Sequence, residues 1–474
     1  MSDDRRPLEA ALAAAVLVAG FSLIVASGLL TGGSTAFVLL LLNAVVFPEL
    51  LDFGIRLYFR SISMAGRTGA SPMPSVALRV PEFTPYQRRL HLKPYALVVS
   101  VHNLGGELYS FLDGMAPHLG RLWVIDDGST DGTGDRLRAA GCRCIAGSRN
   151  QRKPGALREL VAQLPAEVQT VVVFDPDTRF LNRGGGELTD LEQVIFDFQQ
   201  SRMAAVCPRI RVRGAGVLST LQGFEYALSL LVGRKSLADF SINSGVAIYR
   251  RTALERASAE HSRSVYAEDL EYSLILLGAG ERIYFDDRLV VETTAKQTWR
   301  GLFLQRVGWS FGYVKVYVEQ FANVRRTARR HTMAAYQYLL YLGLLGLLLH
   351  PLRLAALVVI ALSFLNGIDA LLGTALVPDG TLTTPWIFLG SYTQYLVLAA
   401  LGLTLVPRGE RLHLLRALPF YFFYSSALAL PATVGFLNWF TVRFWHRRLM
   451  RDPYQDEASL IAELGYPMAG VGHA

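Results

Sequence analysis

Two acidic pairs stand where short apolar stretches of the chain end. Residues 171–178 read VVVFDPDT, so that Asp175 and Asp177 follow an apolar run, and Asp126 and Asp127 follow another. Each pair taken alone is typical of an ordinary turn, because Asp, Pro and Gly are turn residues. Taken together, they favour a site for a divalent cation, since hard cations prefer oxygen ligands.

The surrounding pattern predicts a parallel α/β sheet that would position these acids. Tyr95–Val101, Leu122–Ile125 and Val171–Phe174 read as strands, and each is followed by a polar loop and a helical stretch. Ligands of such sheets bind beyond the carboxyl ends of the strands. We therefore expect the acidic pairs and the first loop, near Asn103 and Glu107, to converge. A cation with an anionic diphosphate would relieve the repulsion between the carboxylates.

Three neighbouring features each allow two interpretations. Asp126–Asp131 could be a calcium loop, although the alternation of ligands and the closing Glu of such a loop are missing. Lys153 precedes a predicted helix, where it could meet phosphate or simply lie on the surface. Glu268 and Asp269 begin another helix, where they could complement the helix dipole or supply a general base.

Apolar segments flank the predicted sheet domain. Ala10–Leu30 and Ala36–Phe47 predict a pair of membrane helices, with a cleaved signal peptide as the alternative for the first. Four further segments follow the domain: Ala334–Leu349, Leu354–Leu376, Trp386–Val406 and Ala417–Phe440. Basic residues flank these regions in a way that predicts a cytoplasmic domain in a multi-pass plasma (inner) membrane protein. The loop 407–416 is also basic but would lie on the outer side, which contradicts this orientation unless a break at Pro431 makes the last segment re-entrant.

The charge and the cysteines exclude other classes of protein. The net charge of +8 is explained by the basic membrane flanks, so we predict no nucleic-acid partner. The three cysteines form neither a zinc pattern nor a disulfide framework.

These observations predict six regions. They are an N-terminal transmembrane helix pair (1–60), a juxtamembrane linker (61–92), an α/β catalytic domain (93–300), amphipathic interfacial helices (301–332), about four C-terminal transmembrane helices (333–442) and a cytoplasmic tail (443–474).

An ordered set of motifs resembles the family 2 glycosyltransferases, and more narrowly their processive membrane synthases of hyaluronan, chitin, cellulose and poly-N-acetylglucosamine. The motifs are Asp126-Asp127-Gly128-Ser129, Asp175-Pro176-Asp177, Ser244-Gly245, Glu268-Asp269 and Gln305-Arg306-Val307-Gly308-Trp309. The resemblance implies a Rossmann-like GT-A domain inserted between transmembrane regions.

The resemblance also implies a role for each residue. Asp126 and Asp127 would hold the uridine part of a UDP-sugar, with help from Asn103 and Glu107. Asp175 would face the ribose and diphosphate and share with Asp177 the binding of Mg²⁺ or Mn²⁺. The remaining expectations are donor binding by Lys153 and Arg306, and acceptor binding by Ser244, Gly245, Glu268, Gln305 and Trp309.

Asp269 would be the base of an inverting transfer, which gives a β-linked product. This sequence departs from the family pattern Gln-x-x-Arg-Trp, because Gly308 occupies the arginine position. Arg306 is a substitute in sequence, but residues two apart lie on different faces of a helix. Lys296, Arg300 and Lys153 are the other candidates for this role.

We expect a processive hexosyl or N-acetylhexosaminyl transferase that extends a polysaccharide and translocates it. Its partners would be the UDP-sugar, the growing polymer and membrane lipid, with any export or cell-envelope partner unidentified. One alternative is transfer of a single sugar to a polyprenyl-phosphate carrier. The other is a non-catalytic membrane protein with a decayed transferase domain.

Overall fold

The structure, a computed structural model, describes residues 51–61, 84–147, 150–183, 188–348, 350–378, 385–445 and 447–450. The predicted helix pair at 10–30 and 36–47, most of the predicted linker and the tail beyond 450 lie outside these residues. The chain divides into two compact units. The α/β unit comprises Pro74–Ser219, Leu237–Ala334 and Pro431–Ala474, and the helical unit comprises Met1–Met73, Thr220–Ser236 and Ala335–Leu430.

The α/β unit is built on a mixed sheet. The strands in its described residues are β1 (Tyr95–Val101), β2 (Leu122–Asp126), β3 (Arg143–Ala146), β4 (Thr170–Val173), β5 (Arg179–Phe180), β6 (Ala205–Arg213), β7 (Ala247–Arg250) and β8 (Ile283–Thr294). They lie in the order β3-β2-β1-β4-β7-β6-β8-β5.

The three predicted strands are confirmed as β1, β2 and β4, and they form a parallel core together with β3. β4 is buried along its whole length, and so is nearly all of β1, as expected for strands covered by helices on both faces. The chain passes from β1 to β2 and β3 on one side, and then to β4 on the other side. This reversal places a topological switch point between β1 and β4, where open α/β sheets bind their ligands.

In the rest of the sheet, β7 and β5 run opposite to the parallel core, whereas β6 and β8 run in its direction. β7 pairs antiparallel with both β4 and β6, and β5 pairs antiparallel with β8. β6 and β8 run parallel, with an irregularity after Pro208. β7 thus joins the parallel core to the longer strands β6 and β8.

Helices precede, connect and follow the strands of the sheet. They are α1 (Pro85–His91), α2 (Leu108–Met115), α3 (Thr133–Ala139), α4 (Arg152–Ala162), α5 (Asp190–Gln200), α6 (Val217–Leu228), α7 (Arg251–Glu260), α8 (Glu268–Gly278), α9 (Trp299–Glu319) and α10 (Phe321–Ala328). Of α6, only residues 217–219 belong to the α/β unit, because the helical unit takes over at Thr220 and includes the π-helical turn Ser229–Arg234 that continues α6.

The remaining described helices are apolar for the most part. They are residues 51–61, α11 (Thr332–Ala335) with the π-helical stretch Tyr336–Leu348, α12 (His350–Leu372), α13 (Pro385–Thr404), α14 (Arg408–Leu415), α15 (Leu418–Ala427) and α16 (Ala429–Trp445).

Three stretches among the described residues are long and apolar enough to cross a membrane: Leu354–Leu372, Pro385–Thr404 and Leu418–Trp445. They coincide with three of the four predicted C-terminal segments. The remaining one corresponds to Thr332–Leu347, which is shorter than the roughly 20 residues that a span needs. A count of about four C-terminal spans therefore stays a prediction.

Candidate active site

The first acidic pair lies at the end of β2, next to the end of β1. Asp126 is paired in register with Val101, and the Asp127 N–H donates to the Val101 carbonyl oxygen at 2.8 Å. The Asp127 side chain is buried and accepts a hydrogen bond from the Gln151 N–H at 2.8 Å. Burial raises the pKa of Asp127, and the backbone N–H groups oppose that shift.

The loop after Asp126 is also a well-bonded turn. An Asp126 carboxylate oxygen accepts from the Ser129 N–H at 3.0 Å, and the Asp131 carboxylate accepts from Thr133 and from the Gly105 N–H. The carboxylates of Asp126, Asp127 and Asp131 therefore accept hydrogen bonds from backbone N–H groups, which does not support the calcium-loop alternative. Among the described residues, no group of three or more His, Cys, Asp or Glu side chains is placed to hold a metal ion.

The first loop is tied to this turn. Asn103 has a left-handed backbone, with a φ of 50°. Its N–H donates to the Ser129 hydroxyl at 2.9 Å, and its side-chain oxygen accepts from the Thr130 N–H at 2.8 Å. Glu107 ends a short 3-10 turn and is exposed. The loops after β1 and β2 thus form one rim at the carboxyl edge of the sheet.

Lys153 connects the second acidic pair with the Glu-Asp motif. Its ammonium lies 2.5 Å from an Asp175 oxygen and 3.0 Å from a Glu268 oxygen, and 3.5 Å from the Gly245 carbonyl. The surface-lysine interpretation is therefore wrong. Lys153 lies two residues after Gln151, so α4 begins by bonding Asp127 with a backbone N–H and Asp175 with a side chain.

The charges in this cluster shift one another's ionisation. Burial raises the pKa of Asp175, and the negative Glu268 raises it further, while the Lys153 ammonium lowers it. Burial also raises the pKa of Glu268, but Lys153, a backbone N–H and His261 together outweigh burial and leave that pKa below its ordinary value. The two carboxylates hold the pKa of Lys153 well above its ordinary value. Lys153 is therefore a cation at neutral pH.

Gly245 has no room for a side chain. A Cβ on Gly245 would lie 2.0 Å from an Asp175 carboxylate oxygen, so the carboxylate rests directly on the glycine. The neighbouring Ser244 hydroxyl contacts the Cys207 sulfur at 3.2 Å. The Ser-Gly motif thus borders the same cluster. A side chain at 245 would displace Asp175, so glycine is needed there for Asp175 to reach Lys153.

Asp177 is oriented by the end of β8. Its Oδ2 accepts from the Thr293 hydroxyl at 2.6 Å and from the Thr294 N–H at 3.1 Å. Hydrogen-bond donors of this kind commonly fix the direction of a carboxylate that ligates a metal. This geometry fits the predicted role of Asp177, since its second oxygen is not used by these two bonds.

The Glu-Asp motif begins α8 after an unusual turn. Ala267 has a φ of 58°, in the left-handed region, and Glu268 and Asp269 follow in the first turn of the helix. Lys153, Gly245, Glu268 and Asp269 line a cavity of about 10 Å³, close to the size of one water molecule. The dipole and general-base interpretations of the motif remain compatible, because a helix N-terminus stabilises a carboxylate in either role.

A buried network that sequence reasoning missed supports this turn. Glu271 is completely buried; it accepts from the N–H and the hydroxyl of Ser262, and it lies 3.5 Å from His261. Lys315 of α9 is also fully buried, 3.4 Å from the Ser262 hydroxyl and 3.1 Å from Glu319. Burial lowers the pKa of His261. Only the acidic Glu271, close to Asp269 in sequence, could have signalled the network.

The residues of the last motif lie on α9, which is a regular helix from Trp299 to Glu319. Trp309 is 37 % exposed, Gln305 is half-buried, and the Arg306 guanidinium lies 4.3 Å from the Trp309 ring centre. Direct contacts therefore unite Lys153 with Asp175, Gly245 and Glu268, whereas Arg306 stacks on Trp309. Donor binding by Arg306 and acceptor binding by Gln305 and Trp309 stay predictions.

Comparison with known proteins agrees with the fold. Residues 98–257 match the family model described as Glycosyl transferase family 2. The α/β unit therefore has a Rossmann-like, GT-A type fold and contains a region similar to the glycosyltransferase family 2 domain. No curated protein sequence matches this chain.

Three solved structures are similar to part of this chain. GalNAc-T7 with UDP, GalNAc and Mn²⁺ is 14% identical with a TM-score of 0.33, and the match covers 44% of this chain and 45% of that one. Glucosyl-3-phosphoglycerate synthase from Mycobacterium tuberculosis is 16% identical with a TM-score of 0.30, covering 50% and 85%. Mannosyl-3-phosphoglycerate synthase from Rubrobacter xylanophilus is 15% identical with a TM-score of 0.29, covering 53% and 79%.

Proposed function

We propose that this protein is an inverting, processive glycosyltransferase of the plasma membrane. It polymerises a β-linked polysaccharide from a UDP-sugar on the cytoplasmic side and passes the chain across the membrane through its own helices. The observation that carries the proposal is the cluster in which Lys153 joins Asp175 to Glu268, beside Asp269 and next to the buried Asp127. It lies at the carboxyl edge of the sheet, beside the switch point between β1 and β4.

The donor would bind along this edge. Asp126, Asp127 and the loop at Asn103 and Glu107 would hold the uridine, and Asp175 would face the ribose and diphosphate. Lys153 is charged and only partly exposed, so it can pair with the diphosphate when the donor is bound. A preorganised cation in such a site stabilises the charge that develops on a leaving group.

A divalent cation fits the second acidic pair. Asp177, oriented by Thr293 and Thr294, would hold Mg²⁺ or Mn²⁺ together with Asp175 and oxygens of the donor. The bound cation would offset negative charge on the diphosphate. Asp175 would then exchange part of its contact with Lys153 for the cation.

Asp269 would act as the base. Its carboxylate takes the proton of an acceptor hydroxyl, and the freed oxygen attacks the anomeric carbon of the donor. The bond between that carbon and the diphosphate oxygen breaks, and its electron pair leaves with UDP. A single displacement inverts the anomeric centre, so an α-linked donor gives a β-linked product.

The helical unit has a partly polar interior, which supports a path for a polar chain. The Tyr424 hydroxyl donates to Glu225 at 2.5 Å, and Gln394 of α13 is buried. Asp52 and Arg56 form a buried ion pair at 2.8 Å, and Arg56 also donates to Gln337 at 2.9 Å. Polar and ionisable groups buried among apolar helices commonly mark a substrate path.

The decisive test supplies purified protein in lipid with UDP-sugars and Mg²⁺ or Mn²⁺ and sizes the products after extraction. Long polymer is the expected product. A single sugar in the organic phase would instead indicate transfer to a lipid phosphate carrier, and no UDP release from any donor would indicate a decayed domain.

Asp269→Asn separates chemistry from binding in the same assay. We expect UDP binding by calorimetry to persist and transfer to fall by about 10²-fold or more, because the base is lost. Turnover at the unmodified rate would refute the role of Asp269.

A further inference from the structure

One face of α9 carries two glycines a single turn apart, and both lie against Tyr266. A Cβ on Gly308 would lie 2.4 Å from Cε1 and 2.5 Å from Cζ of the Tyr266 ring. A Cβ on Gly312 would lie 2.5 Å from the Tyr266 Cβ and 2.6 Å from its carbonyl oxygen. The ring therefore lies along α9, from Gly312 towards Gly308, in space that any other residue at 308 or 312 would occupy.

Tyr266 belongs to the turn that presents the Glu-Asp motif. It precedes Ala267, whose φ of 58° is rare for a residue with a side chain, and Glu268 and Asp269 come next. A turn of this kind persists only where its surroundings determine it. The Tyr266 ring supplies a contact of that kind, because it anchors the residue immediately before the turn.

A second contact from α9 reaches the same loop. Lys315, less than one turn beyond Gly312, lies 3.4 Å from the Ser262 hydroxyl. The Gln320 side chain, at the end of the helix, donates to Glu271 of α8 at 3.0 Å. α9 thus contacts both the loop 261–267 and α8, and of these contacts Tyr266 is the nearest to Asp269 in sequence.

We infer that Tyr266 is a positioning residue: its ring, seated in the groove left by Gly308 and Gly312, sets the place of the Asp269 carboxylate. This rests on the proposed function, in which Asp269 is the base. The glycine at 308 is then required by Tyr266. An arginine there would push the ring away from α9 and displace the base.

The test measures kcat and KM in variants that remove the Tyr266 ring, remove only its hydroxyl, or fill the groove at Gly308. Tyr266→Phe keeps the ring and is expected to retain transfer within about 2-fold. Tyr266→Ala and Gly308→Ala are expected to lower kcat by about 10²-fold, the usual effect of a displacement near 1 Å. The donor KM should stay within about 2-fold in all three variants, because the Lys153 and Asp127 contacts are not touched.

A double variant tests whether the methyl group added at 308 acts through the Tyr266 ring. In the Tyr266→Ala background the added methyl group of Gly308→Ala meets no ring, so the pair should be no slower than Tyr266→Ala alone. The control is Gly409→Ala in α14, another helical glycine, where a Cβ meets nothing within 4 Å. It should leave kcat unchanged.

The possible results separate the inference from the proposed function. If wild type turns over and Tyr266→Ala does too, or if Tyr266→Phe is as slow as Tyr266→Ala, the positioning role is overturned. Equal losses from Gly308→Ala in both backgrounds would overturn it as well. A wild type that releases no UDP from any donor overturns the proposed function, and with it the inference.

Discussion

Replacing Lys153 by methionine removes the cation that joins the two acidic motifs while keeping a side chain of similar length. Asp175 and Glu268 would then face each other without the ammonium that now lies 2.5 Å from one and 3.0 Å from the other. Both the stability of the α/β unit and the transfer reaction should suffer, since like charges disfavour each other's ionised form.

The size of the effect follows from exposure. The side chains of Lys153, Asp175 and Glu268 are 24%, 40% and 18% exposed, which is between a surface pair and a buried one. Exposed pairs contribute about 0–1 kcal/mol, and breaking a buried pair costs about 3–5 kcal/mol. We therefore expect a loss of about 2 kcal/mol, which lowers the thermal midpoint by about 4–8 °C for a domain of this size.

Transfer should fall further than stability, by about 10²–10³-fold, because a preorganised charge at the leaving group is lost. The assay measures UDP release at saturating donor, beside thermal unfolding in the same detergent. Lys153→Arg keeps the charge and should retain part of both. In the methionine background, Glu268→Gln should restore some stability by removing one of the two facing charges. A methionine variant with the midpoint and turnover of wild type would refute the role given to Lys153.

Three further changes test other parts of the site and the domain. Gly245→Ala should lower transfer by about 10²-fold, since a Cβ 2.0 Å from the Asp175 oxygen displaces that carboxylate. Thr293→Val should raise the Mg²⁺ or Mn²⁺ concentration for half-maximal transfer by about 10–100-fold, because Asp177 loses a bond that orients it. Asp239→Asn should change how stability depends on pH: burial raises the pKa of Asp239 from 3.8 to about 6. The wild type should therefore lose up to about 3 kcal/mol relative to the Asn variant as pH rises from about 4 to 7.

Each of these changes has a control. Gly120→Ala adds a Cβ where nothing lies within 4 Å, and should leave transfer unchanged. Thr293→Ser keeps the hydroxyl and should keep the metal requirement. For Asp239, the raised pKa means that the protonated form is favoured by folding, so the stabilisation is complete below pH 3.8 and is lost through pH 6. Parallel pH curves of thermal midpoint for wild type and the Asn variant would contradict this reasoning.

Several features could be predicted from the sequence because they depend on neighbours along the chain. Apolar runs that end in polar loops predicted β1, β2 and β4, and parallel strands necessarily place Asp126, Asp127 and Asp175 at one edge of the sheet. Long apolar stretches likewise predicted the three helices able to cross a membrane. A local pattern suffices in these cases, since hydrophobic burial imposes the period and length of each element.

The contacts within the site could not be predicted in this way. Lys153 was equally compatible with a surface position, and its partners Gly245 and Glu268 lie 92 and 115 residues further along the chain. In the sequence, Gly308 indicates only a missing arginine. In the structure, the ring of Tyr266, 42 positions earlier, occupies the space that a side chain at 308 would need. The order of the strands and the packing of α9 decide these pairs. The sequence determined which groups lie at the edge of the sheet. Only the tertiary structure decided which of them are in contact, because the separation of two residues along the chain does not fix their distance in space.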